Sequence, residues 1–194
     1  IISIFYWCFI SLALISYFQS PIYHRSPLFF VCISICIALI GVLIVYSNLS
    51  RQINVFNIYI KITLVSLILS ASAFFVSSYP IGSDPWAHLE YINNFLQFSS
   101  LTVSGNTQKV GEYYINYPVS HLFAIAISLI TTLSTRVSLY MIGITLILST
   151  IFTYLFVKEI SNDSNIALFS LLLLSFADCH IHWTDQVIPM SFGL

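Results

Sequence analysis

Ile81-Gly82-Ser83-Asp84-Pro85-Trp86-Ala87-His88-Leu89-Glu90 follows closely on the apolar run of residues 61–78, and the junction between the two decides how the chain is read. A long apolar run that ends in an acidic residue and a proline describes a membrane-crossing helix giving way to a helix in a different solvent. Asp84 suits the N-cap, where its side chain accepts from N–H groups one turn in. Pro85 at the first helical position then loses no hydrogen bond. Helical spacing puts Trp86, Leu89, Ile92 and Leu96 on one face and Ala87, Glu90, Asn94 and Gln97 on another. That pattern predicts an amphipathic helix at a membrane surface, with His88 one turn beyond Asp84 on the same side.

The rest of the chain agrees with a membrane solvent. Hydrophobic residues make up 58% and charged residues 7%, where a soluble domain has about a quarter of its residues charged. Such a chain cannot cover a water-facing surface. With no water available, backbone groups are satisfied inside each segment, and continuous apolar runs do this as helices rather than as the alternating strands of a barrel. The expected fold is therefore all-α: a polytopic transmembrane helix bundle with a long external loop containing an amphipathic interfacial helix.

The spans expected are residues 1–18, 28–46, 58–78 and 137–157, each able to cross a hydrocarbon core of roughly 30 Å. Two shorter apolar stretches lie at 118–134 and 165–177. Lys61 is expected to snorkel at the start of its span. Residues 1–18 lack the basic start of a signal peptide. Cys8, Cys32 and Cys36 fall inside apolar segments and read as small hydrophobes, with no zinc or disulfide spacing. A net charge of −1 without a basic cluster gives no reason to expect a nucleic-acid partner. The chain starts on Ile1 and stops at Leu194 where an apolar pattern restarts, and so reads as a piece of a longer protein.

The polar interval 79–117 holds Asp84, Glu90 and Glu112, three of the seven acidic residues. Loops this long between membrane helices are uncommon unless they act. Its second half, with Ser104-Gly105-Asn106 and Gly111, reads as turns or a short hairpin. A second polar cluster runs Asp178-Cys179-His180-Ile181-His182-Trp183-Thr184-Asp185-Gln186. Positive charges do not orient the chain: Arg51, Lys61 and Arg136 fall on one side and Arg25, Lys109 and Lys158 on the other. If every stretch crosses, Asp84 and Asp185 lie on opposite faces; if one short stretch only dips into the bilayer, they share one.

Several of these residues carry two readings. Asp84 either caps a helix or serves as a base or cation ligand at a membrane boundary, where ionisable groups are costly and often functional. His88 is a metal or phosphate partner, or an amphipathic interface residue; Glu90 falls on the solvated face. Tyr117 and His121 line the same pocket, or stand as an interfacial aromatic and a hydrogen-bonded helix residue. Asp185, also at a helix start, is a second cation ligand or a further cap. His180 and His182 make a metal pair only on extended backbone.

Asp84-Pro85-Trp86-Ala87-His88-Leu89, after a span and before an interfacial helix, resembles the first-loop motif of the polytopic C-type fold (GT-C) membrane glycosyltransferases. The archaeal members, oligosaccharyltransferase catalytic subunits among them, have a similar Asp-Pro-aromatic-x-His pattern there. Tyr117-Pro118-Val119-Ser120-His121-Leu122 resembles the Tyr-Pro-x-x-His that often opens the next membrane segment in archaeal relatives. Trp183-Thr184-Asp185-Gln186-Val187-Ile188-Pro189 resembles the second acidic loop. The resemblance covers about residues 58–194. It divides the chain into two additional amino-terminal transmembrane helices, 1–56, and the start of a GT-C-like catalytic module, 57–194, with its long loop at 79–117 and incomplete at Leu194. Glu90 stands where the oligosaccharyltransferase subunits usually have a basic residue.

The resemblance implies a multi-pass protein of the cell membrane that moves a sugar from a polyprenyl- or dolichyl-phosphate donor to a glycan, lipid or protein acceptor on the external face. Asp84, as base or metal ligand, would be catalytic with His88 and Asp185. Trp86, Tyr117, His121 and Gln186 would contact substrate, and Asp84 with Asp185 would hold Mg²⁺ or Mn²⁺. A sugar leaving a lipid phosphate builds positive charge at its anomeric carbon and negative charge on the phosphate. A carboxylate can activate the acceptor hydroxyl, while a cation or a histidinium stabilises the departing phosphate. Two other classes stand beside this one. In an ion- or proton-coupled transporter, Asp84, His88 and Asp185 would bind the ions, but such sites favour mid-membrane broken helices within repeats. In a non-catalytic membrane subunit the same residues would be caps.

Overall fold

The computed structural model describes residues 1–50, 54–76, 83–98 and 119–177. Among these residues there is no strand, and seven helices carry the chain: α1 (Ile2–Gln19), α2 (Pro27–Ser50), α3 (Val55–Phe74), α4 (Ser83–Phe98), α5 (Val119–Thr131), α6 (Thr135–Ser161) and α7 (Ser164–Ser175). Helices α1, α2, α3 and α6 are long and apolar enough to cross a membrane, while α5 and α7 are apolar but shorter. At 1.5 Å per residue the two short ones reach only about 20 Å. The apolar runs of the sequence become helices, with shifted ends. Helix α2 continues to Ser50 through residues that read as a polar link, and α3 ends at Phe74.

The chain forms two compact units, residues 1–78 with 147–181, and residues 79–146 with 182–194, the division falling within α6. In the first unit α2 packs on α1, α3 and α7, and α3 also packs on α7. The contact stripes follow helical spacing: Tyr6, Ile10 and Ala13 on α1; Phe29, Cys32, Ile33, Cys36, Ile40 and Ile44 on α2; Ile58, Ile62 and Val65 on α3; Leu168, Leu171 and Leu172 on α7. Outward positions such as Phe5, Ile15, Val42 and Phe56 are equally apolar. An apolar surrounding gives helices no hydrophobic reason to associate, so close packing and small polar groups hold them. Ser66 on α3 donates to the Ser175 carbonyl on α7 at 3.5 Å, and Tyr6 on α1 donates to the Lys61 carbonyl on α3 at 3.0 Å.

The turns use side chains to stop and start helices. Residues 20–26 link α1 to α2. There Tyr23 adopts a left-handed φ of 67°, and its N–H is anchored on the Val76 carbonyl at 2.8 Å. Ser26 accepts from the Phe29 N–H at 3.2 Å ahead of α2, with Pro27 at the first helical position. Asn162, at φ 53°, closes α6 as an asparagine cap. Asp163 then accepts from the Asn165 N–H at 2.7 Å and opens α7.

Lys61 departs from the sequence expectation. Its side chain does reach back one turn, where the ammonium donates to Asn57, but it runs between helices instead of along a lipid-facing surface. It is 2% exposed, with the ammonium 5.6 Å from the Tyr6 ring centroid and 6.0 Å from that of Trp7. Aromatic faces and one amide oxygen thus take the place of water around this charge. Removing one partner of a buried charge costs more than removing the charge altogether. Asn57→Leu is therefore expected to destabilise the protein by about 1–2 kcal/mol, and adding Lys61→Met to recover most of that loss, both read from thermal unfolding in detergent. If Lys61→Met alone costs more than Asn57→Leu, the charge itself is stabilising and this account of it fails.

Candidate functional site

The second unit brings together two of the residues singled out in the sequence. Helix α4 begins at Ser83, so Asp84 and Pro85 stand in its first turn, slightly earlier than an Asp84 cap predicts. Proline is tolerated there because the first turn has no intrahelical use for its N–H. The helix is 16 residues long, and its packing partner is α5.

The face of α4 that packs on α5 shares Ile92 with the apolar stripe of the sequence and otherwise lies beside it. His88, Tyr91 and Ile92 are buried, with His88 only 1% exposed, while Leu96 is 37% exposed and Leu89 half-buried. With the half-buried Phe95 these positions run 88, 91, 92, 95, a regular helical stripe. The stripe of Trp86, Leu89, Ile92 and Leu96 is the face expected at a membrane surface; the contact with α5 is a neighbouring face, to which two polar aromatic rings belong because α5 presents a polar ring of its own. On α5 the buried positions are Ser120, His121, Ala124 and Ile125, while Val119, Leu122 and Phe123 face outward.

At the centre of this contact His88 Nδ1 and His121 Nε2 stand 2.8 Å apart. The ring centroids are 5.0 Å apart with planes at 45°, and the Tyr91 ring meets His121 edge-on at 5.3 Å. Two N–H groups cannot face each other at this distance, so one imidazole donates and the other accepts through its lone pair. Burial, and after it the neighbouring His121, push His88 down to about 3 from its ordinary 6.5. Burial lowers His121 as well. The pair is therefore neutral at pH 7.

A histidinium at position 88, ready to stabilise a departing phosphate, is not what the free protein holds. A neutral pair offers a fixed hydrogen-bonding array instead. Such a pair also holds α4 on α5, because a buried imidazole that loses its partner is costly.

His88 and His121 are the predicted site residues that the described structure brings into contact. The side chains of Asp84 and Trp86 lie outside the described residues, as do Tyr117, Asp185, Gln186 and the whole 178–186 cluster. Among the described residues no three His, Cys, Asp or Glu side chains gather as a metal site. Tyr91 and Ser120 are additions that the sequence reading missed. Tyr91 follows His88 by three residues, and counting helically from the histidine, not from the leucines, would have found it. Ser120 adjoins His121, and its hydroxyl is buried with no hydrogen-bond partner among the described residues.

No protein-family model, curated protein or solved structure matches the chain. The functional reading accordingly rests on the α4–α5 contact and on the motifs that supply it.

The depressed His88 value makes stability depend on pH. The unfolded chain takes up the proton first as pH falls, so the contribution is full above about pH 6.5 and is lost progressively towards pH 3. Moving from pH 7 to pH 5 is expected to cost about 2 kcal/mol, read as a lowered unfolding midpoint. The loss should shrink in a His88→Leu/His121→Leu double variant. Full acid sensitivity in that variant would assign the pH dependence to other groups.

Proposed function

We propose that this chain is part of a multi-pass membrane glycosyltransferase that takes its sugar from a polyprenyl- or dolichyl-phosphate donor, with its site on the outer face of the cell membrane. One observation carries the reading. The helix begun by Ser83-Asp84-Pro85-Trp86 and the helix that follows Tyr117-Pro118 pack together, and the histidine of each motif is hydrogen-bonded to the other at 2.8 Å. Two stretches set apart in the sequence, each resembling part of one enzyme family, thus supply a single buried polar contact between an amphipathic helix and an apolar one.

In this reading Asp84, one helical turn before His88, accepts the proton of the acceptor hydroxyl. The acceptor oxygen forms a bond to the anomeric carbon as the bond to the phosphate oxygen breaks, and the lipid phosphate leaves with the electron pair. The histidine pair orients groups at the end of α4, and a phosphate anion brought beside it would raise its proton affinity from the low value of the free protein. Mg²⁺ or Mn²⁺, hard cations that favour oxygen ligands, would be held by the Asp84 and Asp185 carboxylates and would supply positive charge to the phosphate. The four long apolar helices support a donor whose tail stays in the bilayer.

The test is sugar transfer by the full-length protein in membranes supplied with labelled polyprenyl-phosphate sugars, comparing the unaltered protein with Asp84→Asn at matched expression. Asparagine keeps shape and capping ability, so a loss of at least about a hundredfold, the scale of general-base catalysis, is expected. Equal transfer by both proteins would reduce Asp84 to a structural residue.

A further inference from the structure

Among the described residues the hydroxyls of Thr63, Ser70 and Ser120 are buried without a hydrogen-bond partner. Buried polar groups are nearly always paired, so each exception asks for a cause. Thr63 and Ser70 lie inside α3, where the surrounding N–H groups are already used by the helix. Ser120 differs in its place. It stands in the first turn of α5 (Val119–Thr131) and is only 4% exposed.

The first turn of a helix has N–H groups with no intrahelical acceptor, and the aligned peptide dipoles leave a partial positive charge there. Each Cα–Cβ bond of a helix tilts towards the N-terminus, so the Ser120 hydroxyl leans towards this end of α5. No acidic residue stands in the turn to offset its positive charge. The neighbouring Val119 is 58% exposed, which leaves the turn buried on one side and open on the other. A hydroxyl with nothing to bond, beside N–H groups that can only donate, calls for a ligand rich in acceptors and negative in charge. Phosphate oxygens at a helix N-terminus meet that description.

We propose that the first turn of α5 binds a phosphate group, held by the Ser120 hydroxyl together with the backbone N–H groups of that turn. The group is the head of a lipid phosphate or free phosphate, and the chemistry at the helix end is the same for both. The site lies wholly within the second unit and adjoins the contact of His88 with His121. The helix end and the unpaired hydroxyl carry it, so it stands whether or not the chain transfers sugar.

The experiment follows the thermal midpoint of the purified full chain in detergent during titration with farnesyl phosphate, inorganic phosphate or farnesol, with ionic strength held constant by chloride. Saturable protection by a phosphate compound, and none by farnesol, is expected. Protection by farnesyl phosphate at lower concentration than inorganic phosphate assigns the site to a lipid headgroup; equal or stronger protection by inorganic phosphate assigns it to the free ion. A hydrogen bond to a charged group corresponds to about a tenfold change in affinity, so Ser120→Ala should weaken the protection about tenfold. Because the hydroxyl has no partner in the free protein, that variant should melt no lower than the unaltered protein without ligand. Val119→Asp, at an exposed position in the same turn, should weaken phosphate binding by charge alone. No protection by either phosphate, protection undiminished in Ser120→Ala, or protection by farnesol equal to that by farnesyl phosphate would overturn the proposal. A ligand-free Ser120→Ala that melts lower would overturn it as well, since the hydroxyl would then be paired within the fold.

Discussion

With charged residues at 7% and most helix surfaces apolar on both sides, a polar side chain placed between helices finds its hydrogen bonds from other parts of the protein or not at all. This constraint governs where polar groups sit in both units. Lys61 has Asn57 and two aromatic faces. Ser66 has the Ser175 carbonyl, and His88 has His121. Each of these pairs joins positions that packing alone would leave free to slide, since leucine against lipid and leucine against leucine are nearly equivalent. The polar pairs set register, and the apolar stripes fill the space around them.

The histidine pair meets that constraint in a way that also bears on chemistry. An isolated buried imidazole would carry an unsatisfied nitrogen, and an isolated buried imidazolium would carry an uncompensated charge. Two neutral rings sharing one proton carry no charge, and the shared hydrogen bond serves one nitrogen of each. The same arrangement brings the first turn of α4, with Asp84 one turn from His88, to a helix that the Tyr117-Pro118 motif precedes. A structural requirement and the assembly of a candidate site are met by one hydrogen bond. In the first unit, Arg25 of the α1–α2 turn follows the same constraint, lying over the Phe30 ring and donating to Ser72 on α3.

Much of the fold was legible because continuous apolar runs have few alternatives to helix. The positions of α1, α2, α3 and α6 follow from them, and the Asp84-Pro85 step falls in the first turn of α4, close to where it predicts a helix start. What was not legible depends on neighbours. The sequence marked an apolar face of α4 but not the face that meets α5, which follows His88 and Tyr91, since the identity of the partner helix decides which side packs on it. Lys61 was read against lipid and proved to be covered by α1, because a helix surface carries no mark of what will lie on it. The pairing of His88 with His121 joins residues from two motifs, and spacing along the chain holds no information about that distance.

The link between this pair and glycosyl transfer is tested most directly by kcat and KM for lipid-phosphate sugar transfer in His88→Asn, His121→Asn and the double variant, with folded fraction measured for each. Groups that act as a unit lose their effect together. The account predicts that kcat in the double variant falls no further than in the more damaged single variant. Losses that multiply would mean that the two histidines act separately, and would contradict a single site built by the α4–α5 contact.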